Sequence, residues 1–182
     1  MRGRLAGWFM LFSNKQRDLL PLLGVRPGDE VLEIGYGPGG LIRMLAGQTE
    51  ARLIRGVDPS PEMVEHATRV NRKAVRSGRV RLGLGTAEQT GLPDRSVDQI
   101  VAVNNVAIWP DLEAGLRELH RVLRPGGGVT IAWHGGTSPS PITRSLQLPA
   151  DQLARIRDAL TRTFTGVAQQ QLSNLEVFQA RR

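Results

Sequence analysis

The residues spaced for chemistry begin with Val31-Leu32-Glu33-Ile34-Gly35-Tyr36-Gly37-Pro38-Gly39-Gly40. An apolar run feeds glycines that let the backbone turn sharply and approach a ligand closely, and a helix-like pattern opens beyond them. Glu33 stands two residues before the first of these glycines, where it can meet an ammonium group directly or through water. A second acid, Asp58, closes the next apolar run 25 residues on, where a carboxylate can accept both hydroxyls of a ribose. The small polar turn Gly85-Thr86-Ala87-Glu88 follows the third run and suits an adenine edge. A Gly-x-Gly-x-Gly loop alone is shared by many nucleotide sites. A pyrophosphate binder favours Gly-x-Gly-x-x-Gly, a spacing this loop lacks. An amino-acid head, a ribose and a purine are the parts of S-adenosylmethionine.

Positioning these groups requires strands that deliver them to one edge. Runs rich in Val, Ile and Leu alternate with helical patterns, the signature of parallel βαβ units. Strands are expected at 30–34, 52–57, 79–84, 97–103 and 129–133. Helices are expected at 39–46, from 61 to about 76, at 111–123 and at 150–163. Ser60 can cap the second of these, with Pro61 suited to its first turn. Pro125 and Gly126–Gly128 end the third. Strands at 167–172 and 175–180, separated only by Ser173 and Asn174, predict an antiparallel hairpin. The α/β fold expected is a seven-stranded, mostly parallel sheet with one antiparallel strand in the C-terminal β-hairpin and helices on both faces. Upstream, a leucine-rich helix ends before Gly24 and Pro27. A single domain is expected over 1–182: an N-terminal lid or helix region (1–26), a cofactor-binding core (27–133), and a substrate-side loop, helix and hairpin (134–182).

The chain resembles the class I S-adenosylmethionine-dependent methyltransferases, which have a Rossmann-like sheet. It is most similar to the broad group holding the ubiquinone/menaquinone C-methyltransferases and many natural-product methyltransferases. The likeness covers roughly 27–133 and rests on Val31–Gly40, Gly56–Met63, Gly85–Pro93 with Asp94–Asp98, and Leu116–Gly127. It implies that Glu33 and the loop Gly35, Tyr36, Gly37 and Gly39 hold the methionine portion, and Asp58 the ribose. Pro59 and Met63 would pack near the adenine, with the Thr86-Ala87 backbone at its edge and Asn104 beside the donor. Related sequences usually carry an Asp at the Thr86 position, so an uncharged hydroxyl there implies modestly weaker cofactor binding. Glu88 either takes over that contact or caps a turn. Tyr36 either lies over the sulfonium, favoured by cation–aromatic attraction, or packs over the loop.

Methyl transfer is an in-line displacement in which alignment and exclusion of water supply much of the acceleration, so a dedicated base is optional. His66 and His120 fall inside helices and read as structural. His134 follows the fifth strand directly, at the edge where open α/β sheets bind ligands, and is the candidate catalytic base; loop capping or packing is its other reading. Acceptor selection falls to 1–14, 105–111 and 134–148, and Trp8, Phe9, Phe12, Trp109 and Trp133 can make an apolar pocket. The patch Trp8–Phe12 is expected to act as a lid, to pack on the core, or to form a homodimer interface that completes the pocket.

Composition narrows the class further. Apolar residues at 40% and charged residues at 23% suit a globular domain. No apolar run approaches the roughly 20 residues of a membrane span, and the N-terminus lacks the pattern of a secretory leader. Zero cysteines exclude disulfides and thiolate metal sites and fit a cytoplasmic protein. The net charge of +7 comes almost wholly from arginine. Its densest cluster, Arg69, Arg72, Lys73, Arg76, Arg79 and Arg81, reads as a solvated helix face; a phosphate-binding patch is the other reading. The expected reaction is methyl transfer from S-adenosylmethionine, leaving S-adenosylhomocysteine, to a small-molecule acceptor in secondary metabolism. An RNA methyltransferase, or a protein using the bound sulfonium for another reaction or for binding only, stays open beside it.

Overall fold

The computed structural model describes residues 16–182. Seven strands form one sheet: β1 (Glu30–Ile34), β2 (Leu53–Asp58), β3 (Val80–Leu84), β4 (Val97–Val103), β5 (Leu123–His134), β6 (Thr165–Gln171) and β7 (Leu175–Arg181). Their order is β3-β2-β1-β4-β5-β7-β6. β7 alone runs against the rest, pairing antiparallel with both β5 and β6. The helices are α1 (Gly40–Gln48), α2 (Pro61–Val70), α3 (Arg72–Arg76), α4 (Leu112–Val122), α5 (Pro141–Arg144) and α6 (Ala150–Thr163), with 3₁₀ turns at Arg17–Leu23 and Val106–Ile108.

Alternation of side chains along each strand builds a core on either face. Leu32, Ile100, Ile131 and Phe178 pack with Leu116 and Leu119 of α4 and Ile156 and Leu160 of α6. Val31, Val101, Ala132 and Val177 pack on the other face with Leu41, Ile42 and Leu45 of α1, Ala67 of α2, and Leu19 and Leu23 of the first 3₁₀ turn. A Leu-to-Ala change at one of these fully buried positions costs about 2–5 kcal/mol through lost transfer energy and the cavity left behind.

The crossover pattern fixes where a ligand can sit. β1 is flanked by β2 on one side and β4 on the other, so the chain direction of connection reverses there, and the loops after β1 and β4 splay apart at their carboxyl ends.

Three expectations shift in detail. The strand expected from Val129 begins at Leu123, which pairs with Val97, and a register break carries the Pro125–Gly127 stretch before pairing resumes at Gln99 and Gly128. Backbone bonds between Arg182 and both Gly126 and Gly127 hold that stretch against the chain end, so a glycine run that reads as a turn is drawn into the sheet margin. The long helix expected to Arg76 breaks at Asn71. There the buried Asn71 side-chain amide donates to the carbonyls of Ala67 and Gly39. The Gly/Ser/Pro-rich connection at 134–148 contains the short α5, capped by Ser140. The patch Trp8–Phe12 and the lid, packing and dimer readings attached to it lie outside the described residues.

Candidate active site

At the β1/β4 switch point lies a cavity of about 420 Å³, lined by the loops after β1, β2, β3 and β4. The β1 loop turns through three left-handed glycines, Gly35, Gly37 and Gly39. Two of them are also spatially obligatory. A Cβ on Gly35 would stand 2.5 Å from the Asn105 side-chain nitrogen, and one on Gly39 2.8 Å from the Cβ of Ala67. The loop therefore nests between the β4 loop and α2, and its carbonyl at Gly39 is held by Asn71 at 3.1 Å.

Asp58 ends β2 and is 6% exposed. One of its oxygens accepts the Gly37 N–H at 2.8 Å and the other accepts the Ser60 N–H at 2.9 Å. Each oxygen keeps a lone pair for a further donor. Ser60 caps α2 by accepting from the Met63 N–H, which places Pro59 and Met63 on the cavity wall.

Glu33 points to the α1 face and is 3% exposed, and its Oε2 has no hydrogen-bond partner. Burial pushes its carboxyl well above the usual carboxylate range, the charge on Asp58 adds to this, and the Ile42 backbone N–H works the other way. Asn104 follows β4 in a left-handed conformation, φ 57°, with its N–H donating to the Ala132 carbonyl. Its Oδ1 is buried and unpartnered, and so is Oε1 of Gln16. All three of these orphaned acceptors belong to residues lining the same cavity. Buried polar atoms without partners cost about 1–3 kcal/mol each in a folded protein, so their convergence marks a place where a ligand supplies donors.

The β3 loop meets the cavity through Gly85, Thr86, Ala87 and Glu88. Thr86 is engaged in its own turn, since its Oγ1 accepts the Gln89 N–H at 3.1 Å. Glu88 accepts the Asp111 N–H at 3.3 Å, which ties this loop to the start of α4 while leaving its side chain on the wall. Behind them Glu118 of α4 accepts from the N–H and hydroxyl of Thr90 and from Arg121. Burial alone would raise the Glu118 pKa, but these bonds outweigh it and bring it down to about 2.

Tyr36 packs into the sheet. It is 3% exposed, its ring lies against Gly56, where a Cβ would stand 2.6 Å from it, and its hydroxyl donates to the Gly83 carbonyl at 3.3 Å. Burial and the charges of Asp58 and Glu33 push the phenol pKa up, so it stays protonated. This is the loop-packing geometry, and Tyr36 is at the same time among the residues lining the cavity.

The structure brings together Glu33, Gly35, Tyr36, Gly37, Asp58, Pro59, Met63, Thr86, Ala87, Glu88 and Asn104 on one cavity wall. Gly39 supports the loop from behind and does not line it. His134 also stands outside the lining. It ends β5, paired with Leu175 in β7, with its ring edge-on to Trp133 at 5.8 Å between centroids. His120 packs edge-on against Phe164 at 5.5 Å, in keeping with a structural role. Trp133 donates to the Leu146 carbonyl and so anchors the 134–148 connection.

Sequence reasoning missed Gln16 and the role of Asn105. The Asn105 amide donates to the Ile34 carbonyl at 2.6 Å, and its oxygen accepts from the Trp109 indole at 3.0 Å. The only signal in the sequence was the Asn-Asn pair directly after an apolar strand.

The cavity's charge is opposite to that of the chain. Its acids are Glu33, Asp58 and Glu88, and among the described residues lining it there is no Arg, Lys or His, although the whole chain carries +7. Such a site favours a cationic ligand.

Comparison with known proteins places the chain in a class. Residues 31–127, more than half of it, match the methyltransferase domain family. The chain is 33% identical over 129 residues to the uncharacterized methyltransferase YdaC of Bacillus subtilis, covering 70% of this chain and 69% of YdaC. It is 29% identical over 163 residues to nocamycin O-methyltransferase of Saccharothrix syringae, covering 86% of this chain and 57% of that one. Its fold is similar to Haemonchus contortus phosphoethanolamine N-methyltransferase 2 in complex with S-adenosyl-L-methionine, with a TM-score of 0.73 at 18% identity, covering 93% of this chain and 52% of that one. The chain belongs to the methyltransferase domain family and has the class I S-adenosylmethionine-dependent fold. It is, accordingly, an S-adenosylmethionine-dependent methyltransferase.

Proposed function

We propose that this protein transfers the methyl group of S-adenosylmethionine to an apolar small molecule. The observation that carries the donor half is the meeting of orphaned acceptors and acids in one cavity free of basic side chains among the described residues. Glu33 and Asn104 would take the ammonium end, the backbone of Gly35 and Gly37 the methionine chain, and Asp58 both ribose hydroxyls. Pro59 and Met63 would flank the adenine, with Thr86, Ala87 and Glu88 at its edge. Gly39 would hold the loop in shape. When bound, this cofactor supplies a methyl carbon activated by its sulfonium.

The acceptor half rests on the β4 loop. Ile108 is 75% exposed at the cavity mouth, beside Trp109 and Pro110. Trp109 is fixed by its bond to Asn105 and by packing on Gly115, where a Cβ would stand 2.8 Å from its ring. A rigid indole and an exposed Ile form a wall that excludes water from the mouth and orients an apolar acceptor. Two relatives carry the names of small-molecule acceptors: nocamycin O-methyltransferase, and the sterol 24-C-methyltransferase of Aspergillus fumigatus, which is 30% identical over 120 residues, 66% of this chain and 32% of that one. The arginine cluster 69–81 sits on α2, α3 and at edge strand β3, with β2, β1 and β4 between it and β5, from which the 134–148 connection leaves.

Titration calorimetry with S-adenosylmethionine tests the donor assignment. Wild type is expected to bind, and Asp58→Ala to bind about 10–100-fold more weakly, since two charge-assisted hydrogen bonds are lost. No binding by wild type, or equal binding by the variant, rejects the site. Methyl-labelled cofactor offered with apolar and with polar small acceptors then tests the acceptor class; transfer confined to polar acceptors or to RNA rejects it.

A further inference from the structure

Beside the orphaned acceptors of Glu33 and Asn104 the cavity holds that of Gln16. Gln16 is 6% exposed, yet its Oε1 has no partner and its side chain lines the cavity with Glu33 and Asn104. Its backbone is fixed, because its carbonyl accepts the Leu19 N–H at 3.1 Å at the start of the 3₁₀ turn Arg17–Leu23. Leu19 and Leu23 of that turn are buried in the core. The turn packs beside β4 and β5. β2 and β3, with Asp58 and the 85–88 loop, lie on the other side of β1. Gln16 therefore enters the cavity from the side of Glu33 and Asn104, away from the ribose and adenine positions.

A carboxamide presents an acceptor edge and a donor edge, and which atom faces which way is set by the partner. An α-amino acid head asks for both: acceptors for its ammonium and donors for its carboxylate. The cavity has acids for the first and no cationic side chain among its described lining for the second. We propose that Gln16 is a binding residue for the amino-acid end of the cofactor, its carboxamide oxygen facing the ammonium beside Glu33 and its nitrogen donating to the carboxylate. This rests on the donor assignment above. Gln16 thereby sets the preference for ligands that carry the intact amino-acid head over those that end at the adenosine.

Calorimetry with two ligands separates this from a structural role. S-adenosylhomocysteine carries the amino-acid head; 5′-methylthioadenosine keeps the thioether adenosine and lacks it. Gln16→Ala, and Gln16→Met as a variant that preserves volume, are expected to weaken S-adenosylhomocysteine about 10-fold while leaving methylthioadenosine within twofold of wild type. Loss of both ligands alike, or of neither, in the better folded of the two variants overturns the assignment to the head. Asp58→Ala weakens both ligands if the donor site is right, so a wild type that binds neither ligand rejects the parent reading rather than the role of Gln16.

Discussion

The side-chain amide of Asn105 donates to the carbonyl of Ile34 at 2.6 Å, across the switch point between β4 and β1. With its other end holding Trp109 at 3.0 Å, this residue couples the glycine loop to the Trp109 wall of the cavity. Replacing it frees both the Ile34 carbonyl and the indole. Asn105→Ala is expected to cost about 1–3 kcal/mol of stability, and to raise KM for the acceptor more than Kd for the cofactor. Thermal melting and separate titrations of the two ligands check this; an unchanged acceptor KM would show that Trp109 does not depend on it.

Glu33 is held against its own ionisation. Its folded pKa lies well above the ordinary 4.5, through burial first and the Asp58 charge second. A raised acid favours the protonated fold, so stability falls as pH climbs from the unfolded pKa through the folded one. Glu33→Gln is therefore expected to melt higher than wild type at pH 7–8 without ligand. A rise of roughly 2–4 °C corresponds to about 1 kcal/mol for a chain of this size. The gain disappears near pH 4. The same variant loses stabilisation by S-adenosylmethionine, whose ammonium favours the ionised carboxylate; wild-type affinity accordingly rises with pH over that window. Melting curves with and without cofactor across pH 4–8 read both effects, and a variant less stable than wild type at pH 8 contradicts the first.

Glu118 shows the opposite sign. Its folded pKa is about 2, against the ordinary 4.5. Its contribution is therefore full above the unfolded pKa and is lost as pH falls through the folded one. Because its partner Arg121 is 37% exposed, solvent screening limits the gain to on the order of 1 kcal/mol. Glu118→Gln is expected to melt a few degrees lower at pH 7, with the difference narrowing as pH falls through 4 towards 2. It also loosens the Thr90 end of the loop that carries Thr86–Glu88. A melting difference that persists unchanged to pH 2 would assign the effect to packing instead.

His134 ends β5 outside the cavity lining, held within the β5–β7 margin. His134→Ala is expected to leave cofactor affinity within twofold and kcat within tenfold. The kcat–pH profile should also lack an inflection near the ordinary histidine value of about 6.5. A hundredfold fall in kcat at constant KM, with loss of such an inflection, would instead make His134 the base.

Much of this molecule is set by short-range pattern. β1 at 30–34, β4 at 97–103 and α6 at 150–163 fall where apolar periodicity places them, because strand alternation and helix periodicity are properties of neighbouring residues. The glycine loop and Asp58 are legible for the same reason: turn geometry and the end of a strand are local. Other features are decided only by the tertiary fold. The Asn71 break serves the Gly39 carbonyl 32 residues away, and the extension of β5 to Leu123 is held by the chain end at Arg182. Tyr36 packs on Gly56 rather than outward because the sheet leaves a glycine-sized space there. Gln16 and Asn105 join the site because strand order, which no single segment encodes, carries their loops to the β1/β4 switch point. The sequence alone determines a glycine loop and two acids at the carboxyl edge of a parallel sheet; the packing of distant segments decides which amides line the cavity beside them.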